Sequence, residues 1–178
     1  DDTEMMFHHS ALMVAALNGH EKSVELLLRA GANPLLKDTS GRTALLLAAT
    51  NKHLAVLIKL LDSGQSSDQV DSKGNGIWHL ISMSEVENEN SQNVDDTEQK
   101  EKIFFLKMKN LISRGIFLEV LNKNGETALM IAVKKGKVRT IKNLLKLGAS
   151  SKTLTPDGQS AISLAEASGN DDLLRLLK

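Results

Sequence analysis

The stretch Asp38-Thr39-Ser40-Gly41-Arg42-Thr43-Ala44-Leu45-Leu46-Leu47-Ala48-Ala49 decides the architecture, because Asn122-Lys123-Asn124-Gly125-Glu126-Thr127-Ala128-Leu129-Met130-Ile131-Ala132 states it again further along. Working outward, the same phrase is found in altered form at Ser10-Ala11-Leu12, Gly76-Ile77-Trp78 and Ser160-Ala161-Ile162. The heads of the five phrases, Ser10, Thr43, Gly76, Thr127 and Ser160, lie 33, 33, 51 and 33 residues apart. A recurring period of that size marks a repeat protein, in which one small unit cannot bury its apolar face alone and stacks on its neighbours.

Each part of the phrase has a physical reason. Asp or Asn followed three residues later by Gly suits a tight turn, since Asx side chains bond their own backbone and Gly accepts positive φ. Ser or Thr at the head of an apolar run is a helix N-cap, worth about 1 kcal/mol. Small residues at Ala15, Ala16, Ala48, Ala49, Ala132 and Ala165 let neighbouring helices approach, and Gly19, Gly136 and Gly169 then end the first helix in the left-handed region. A second helix buries Val24, Leu27 and Leu28 in the first unit and Leu144 and Leu145 in the fourth, and stops at Gly31, Gly64, Gly115 or Gly148. Truncation to Ala at Leu27 or Leu145 is expected to cost about 2–5 kcal/mol.

These residues resemble the ankyrin repeat, whose hallmarks are a Thr-Pro-Leu-His-x-Ala-Ala phrase, a Gly-His and a Leu-Leu-x-x-Gly-Ala ending. Asn18-Gly19-His20 and Leu27-Leu28-Arg29-Ala30-Gly31-Ala32-Asn33-Pro34 match closely. The resemblance implies an all-α solenoid of about five helix-turn-helix units with short β-hairpin-like turns. It forms one domain over 1–178, with units at about 5–37, 38–70, 71–121, 122–154 and 155–178. No unit keeps the proline, and only His79 keeps the His, where Gly76 replaces the Thr. The family's reciprocal Thr and His hydrogen bond is therefore expected to be missing throughout, with modest stability as the consequence.

The 51-residue interval exceeds the others by 18, and the surplus is placed at 85–102, which carries seven acids against two lysines. Such a stretch cannot bury enough surface to offset the entropy of ordering. It reads as an acidic loop inserted between the two helices of one unit, with a lid or a partner-ordered segment as the alternative. Trp78 stands where the family has a core Leu and Ile81 where it has a small Ala, so core packing outweighs ligand stacking for Trp78, and the swollen unit should widen the local stacking. The last unit is suited to cap the stack through Ser163, Glu166, Ser168, Asp171 and Asp172. The first, reading Met5-Met6-Phe7-His8-His9 without a turn signal, suggests that something precedes it in a larger parent protein.

Composition narrows the function classes. Lys and Arg number 22 and Asp and Glu 22, so the molecule as a whole is not built for nucleic acid or anionic lipid. The absence of cysteine is compatible with a reducing compartment, and the expected setting is cytoplasmic or nuclear. No apolar run of about 20 residues suggests a membrane helix. Adjacent His8 and His9 lack further ligands for a metal, and His20 and His53 read as structural turn residues. Gly74-Asn75-Gly76 lacks the pattern of a phosphate loop, and no nucleophile elbow occurs. A non-catalytic module without cofactors is expected. One rival is electrostatic: Lys134, Lys135, Lys137, Arg139, Lys142 and Lys146, with Lys152 beyond, could neutralise phosphates. That would make an adaptor for nucleic acid or phosphoinositide. The alternative is a solvated helix face, and a third reading has the acidic insertion screening the patch.

In ankyrin stacks the turn tips and the exposed side of the first helices line one concave face, and the resemblance implies contact there with a protein or peptide partner by a monomeric domain. The corresponding positions here are Met6, Phe7, His9, Leu17 and Asn18, then Thr39, Ser40, Arg42, Thr50 and Asn51. Ser72, Lys73, Asn75 and Met83 follow, then Lys123, Asn124, Glu126, Lys134 and Lys135, and finally Pro156, Asp157 and Gln159. The expected ligand has an apolar anchor near Phe7 and Leu17 and acidic residues toward Lys134.

Overall fold

A computed structural model describes residues 9–84 and 94–178. Among them the chain forms ten helices and no strand: α1 Ala11–Leu17, α2 Glu21–Arg29, α3 Ala44–Thr50, α4 Leu54–Asp62, α5 Ile77–Met83, α6 Val94–Ser113, α7 Ala128–Lys134, α8 Val138–Lys146, α9 Ala161–Ser168 and α10 Asp171–Leu177. Odd-numbered helices stack in chain order into an inner row, and the even-numbered helices pack behind them. The expected hairpin-like tips are hydrogen-bonded turns rather than strands. Their first N–H reaches the carbonyl of the fifth residue, as from Asp38 to Arg42 at 2.9 Å and from Asn122 to Glu126 at 3.0 Å.

Local chemistry explains the starts of the inner helices. Ser10, Thr127 and Ser160 each accept an N–H from the third helical residue, at 3.2, 3.3 and 3.1 Å. No unit pairs a Thr with a His, yet other side chains supply the reciprocal bond. The N-cap N–H is taken back by the Sδ of Met13 at 3.4 Å, the Sδ of Met130 at 3.4 Å, the Nδ1 of His79 at 3.1 Å and the Oγ of Ser163 at 2.8 Å. What the capping box needs is an acceptor at the third helical position, and a thioether supplies a weak one.

The middle of the inner row is the most deeply buried part, with Leu45, Leu46, Leu47, Ala48 and Ala49 in α3 at most 1 % exposed. A helix that is apolar all round belongs in such a position. The outer helices are one-sided and contribute Val24, Leu57, Leu60, Met108, Leu111, Ile141 and Leu144 to the core. Leu27, Leu28 and Leu145 are only half-buried, so the deepest sites are their neighbours Val24 and Leu144, both 0 % exposed. After α1, α7 and α9 the chain turns through the left-handed region at Gly19, Gly136 and Gly169. In the second unit the same turn is made by Lys52, at φ 57.

The third unit departs from expectation. Helix α6 begins at Val94, so residues 94–102, read from the sequence as loop, are helical, and 85–93 lie outside the described residues. Abundant helix formers and the Glu98–Lys102 spacing of four favour this outcome. Trp78 and Ile81 are core residues, 3 % and 0 % exposed. Among the described residues α6 approaches α4 closely but not α5, whereas every other unit has its two helices in close backbone contact. The unit is opened, and the indole Nε1 of Trp78 donates to the carbonyl of Ile116 at 3.4 Å. In the fifth unit Glu166, Ser168, Asp171 and Asp172 face solvent, while Leu173 and Leu177 close the core.

Candidate protein-interaction face

Four tips are built alike, because one side chain in each organises the turn. Asp38 Oδ1 accepts from the N–H of Ser40 at 2.9 Å and of Arg42 at 2.8 Å. Asp71 does the same for Lys73 and Asn75, both at 2.8 Å, and Asn122 for Asn124 and Glu126, both at 3.0 Å. At the last tip Thr155 Oγ1 accepts from Gln159 N–H at 3.0 Å. Neighbouring tips are tied by backbone: Ser72 N–H donates to Ser40 carbonyl at 2.9 Å, and Lys123 N–H to Lys73 carbonyl at 3.0 Å. The tips of the second, third and fourth units are therefore joined through backbone hydrogen bonds into one ridge.

Side chains on the ridge divide by accessibility. Asn18, Thr39, Ser72, Lys73, Lys123, Asn124, Lys134, Lys135, Pro156, Asp157 and Gln159 are exposed. His9, Leu17, Ser40, Arg42, Thr50, Asn51, Met83 and Glu126 are half-buried. Asn75 is corrected: at 1 % exposure it faces inward, donates to Asp71 Oδ2 at 2.9 Å and accepts from Asn122 Nδ2 at 3.0 Å. It joins two units and offers nothing to a partner. Asn51 is similarly engaged, its amide donating to the Leu17 carbonyl at 2.8 Å. Met6 and Phe7, the expected apolar anchor, lie outside the described residues, as does His8.

Charge on this face is partly compensated. Arg42 pairs with Asp38 at 2.8 Å, and His9 Nε2 lies 3.5 Å from the same carboxylate. Burial pushes the Asp38 carboxyl up, but hydrogen bonds from Arg42 and Ser40 and the guanidinium charge outweigh it and hold the group below its ordinary value. Glu126 follows the same pattern, with Lys134 Nζ at 2.6 Å as its main opponent to burial. Lys123 Nζ donates to the Ser72 carbonyl at 2.8 Å, which holds its ammonium at the ridge beside Lys73. The basic character of the face thus begins at the tips of the third and fourth units, earlier than Lys134.

On the outer side the basic cluster of the fourth unit is interrupted. Arg139 pairs with Glu101 of α6 at 2.9 Å, and the Lys146 ammonium sits 5.9 Å from the Phe105 ring centroid. The turn histidine His53 packs its imidazole against Gly19, a structural position. Among the described residues no cluster of His, Cys, Asp and Glu could hold a metal ion. No helix among them is long and apolar enough to cross a membrane.

The repeating cap, turn and Gly-ended outer helix coincide with a family model for ankyrin repeats in three copies, which matches residues 1–73 and 105–178. The chain belongs to the ankyrin repeat family. The span between the two matched parts, 74–104, contains α5 and the first half of α6, the part that also departs in packing. Two curated relatives carry the likeness. Protein glp-1 of Caenorhabditis elegans is 25 % identical over 199 aligned positions, covering 96 % of this chain and 15 % of that protein. A putative ankyrin repeat-containing protein of Treponema pallidum (strain Nichols) is 39 % identical over 66 positions, covering 37 % of this chain and 22 % of that protein. The chain thus spans under a quarter of the length of either relative. Ankyrin repeats are in general non-catalytic modules of protein–protein interaction.

Proposed function

We propose that this ankyrin chain holds a protein or peptide partner against the ridge of tips and the adjoining ends of its inner helices, in the cytoplasm or nucleus and as a monomer. The observation that carries the reading is the tip ridge itself. Its turns are fixed by Asp38, Asp71, Asn122 and Thr155, and the first three of these tips are tied to one another by backbone. A surface ordered in advance loses little entropy on binding, which favours affinity from a few contacts. Lys73, Lys123 and Lys135 are exposed along it, so the complementary ligand is an acidic segment, and Phe7 with Leu17 would supply an apolar anchor at the other end.

The rival adaptor for nucleic acid or phosphoinositide draws on the basic fourth unit. Pairing of Lys134 with Glu126 and of Arg139 with Glu101 lowers the charge available to phosphates, and this weighs toward the protein reading. Affinity capture with the whole chain, repeated with Lys73→Glu plus Lys123→Glu and with Phe7→Ala plus Leu17→Ala, tests it. The lysine variant should melt near the parent temperature and the Leu17 variant somewhat lower, since Leu17 packs against the core, and both should lose the captured protein while still folded. Retention by both at parental strength would remove the ridge from consideration.

A further inference from the structure

A second concavity is lined by residues other than those of the ridge. A cleft of about 270 Å³ opens between the segments that lead from outer helix to tip in units two and three. One wall is 66–70, the other 115–120, and the floor is the start of α5 at Ile77, Trp78 and His79. The cleft sits where the third unit is opened, and Trp78 keeps its indole tied to the far wall through the Ile116 carbonyl.

Three observations say what fits. The rim is apolar and accessible: Phe117 is 80 % exposed, Val120 41 % and Val70 40 %. Leu121 on the same segment and Leu154 on the next are exposed as well. The volume is just under the roughly 300–1,000 Å³ of sites that enclose a drug-sized molecule, so it suits one or two side chains of a larger ligand. Charge settles the sign. The two walls with their flanks, 64–71 and 115–122, hold Asp68, Asp71 and Glu119 and no Lys or Arg. The corresponding segments 31–38 and 148–155 each contain a lysine, Lys37 and Lys152. Arg114, at the foot of one wall, is engaged by Asp62 at 2.6 Å. Asp71 is occupied in its own tip, and Glu119 accepts from Ser150 N–H at 3.0 Å and Thr153 Oγ at 2.7 Å. Asp68, exposed on the lining itself, accepts only from the neighbouring Ser66 hydroxyl and keeps a carboxylate oxygen toward the opening, which makes it the principal anionic contact.

One wall is short of backbone pairing. Among the described residues 117–121 makes no backbone–backbone hydrogen bond, and apart from the Val120 backbone, which His79 engages, its main-chain groups can meet an extended ligand.

We propose that this cleft docks an extended, basic segment of a partner protein, with a leucine- or phenylalanine-sized side chain over Phe117, Val120 and Val70 and an adjacent lysine or arginine on Asp68. The ridge and the cleft would then take segments of opposite charge, acidic on the first and basic on the second. The proposal does not depend on the ridge reading.

The chain has one tryptophan, and it forms the floor, so its fluorescence senses occupancy of this cleft. A library of random dodecapeptides displayed on phage is selected on the whole chain. The leading clone, as a synthetic peptide, is titrated against Trp78 emission. Expected are clones pairing an aromatic or aliphatic residue with Lys or Arg, a saturable change in emission, and at least tenfold weaker binding to Asp68→Lys and to Phe117→Ala. Both substitutions sit on exposed side chains and should leave the thermal transition in place. No enriched clone, enriched acidic clones, or clones that bind both variants at parental strength overturn it. Concentration-dependent self-association abolished by Phe117→Ala would also overturn it, by assigning the face to a second copy of this chain.

Discussion

The imidazole Nε2 of His79 lies 2.9 Å from the backbone carbonyl of Glu126, joining the core of the third unit to the tip of the fourth. Since Nδ1 accepts the Gly76 N–H at 3.1 Å, it must be the unprotonated nitrogen, and Nε2–H is the donor. Burial lowers the pKa of this ring, and the Glu126 carbonyl offsets only part of the effect. A histidine depressed in the folded state binds its proton more readily once unfolded, so stability is greatest above the unfolded value of about 6.5 and falls as pH drops below it. We expect the melting temperature to decline between pH 7 and the folded pKa. His79→Gln, which can keep both hydrogen bonds, should flatten that part of the profile; an unchanged slope would point to another group.

Lys52 occupies the left-handed turn that Gly19, Gly136 and Gly169 make in the first, fourth and fifth units. A non-glycine residue there is strained by about 1 kcal/mol or more, and glycine relieves it while adding entropy to the unfolded chain. Lys52→Gly should therefore raise stability by roughly 0.5–1 kcal/mol, read as a higher denaturation midpoint at constant m-value. A lower midpoint would mean that the lysine side chain contributes more than the turn costs.

The periodic heads and glycines made the stack legible because they act locally: a cap bonds within its own helix, and a turn glycine needs only its own φ. The tips were legible for the same reason, through Asp38, Asp71 and Asn122. What could not be read was set by partners distant in sequence. Asn75 looked like a tip residue yet turns inward to Asn122, 47 positions away. Met13 and Met130 gave no sign of capping, since a thioether is ordinarily read as core. The cleft by Trp78 needs two segments about 50 residues apart and has no sequence signature of its own. The acidity of 94–102 reads as loop, yet helix propensity on a solvated face needs little burial.

Burial separates two adjacent leucines of α8. Leu144 is 0 % exposed and Leu145 half-buried, so Leu144→Ala should cost about 2–5 kcal/mol and Leu145→Ala distinctly less. Chemical denaturation of the two variants checks the order. Equal losses would mean that the outer helix packs more deeply than described.

Gly125 combines a φ of 71 with the close approach of the Pro156 ring from the next tip. Gly125→Ala must both strain the turn and displace Pro156, and it should destabilise by at least about 1–2 kcal/mol. Gly158→Ala is its control, with φ 76 and open space where the methyl would go. If the two losses match, tip contact adds nothing to backbone strain at this position.

The Arg139–Glu101 pair decides how basic the outer side of the fourth unit is toward a polyanion. Both partners are about half exposed, 45 % and 52 %, so the pair contributes little to stability but cancels charge locally. Glu101→Lys turns a compensated site into an added cation beside Arg139, Lys142 and Lys146. Polyanion affinity rises with the number of phosphate-like charges neutralised and falls steeply with salt. The parent chain should leave immobilised heparin at low salt, with Glu101→Lys eluting later and melting at nearly the same temperature. Parent retention beyond about 0.5 M salt, where screening acts within about 4 Å, would favour the nucleic-acid adaptor over the protein-binding ridge.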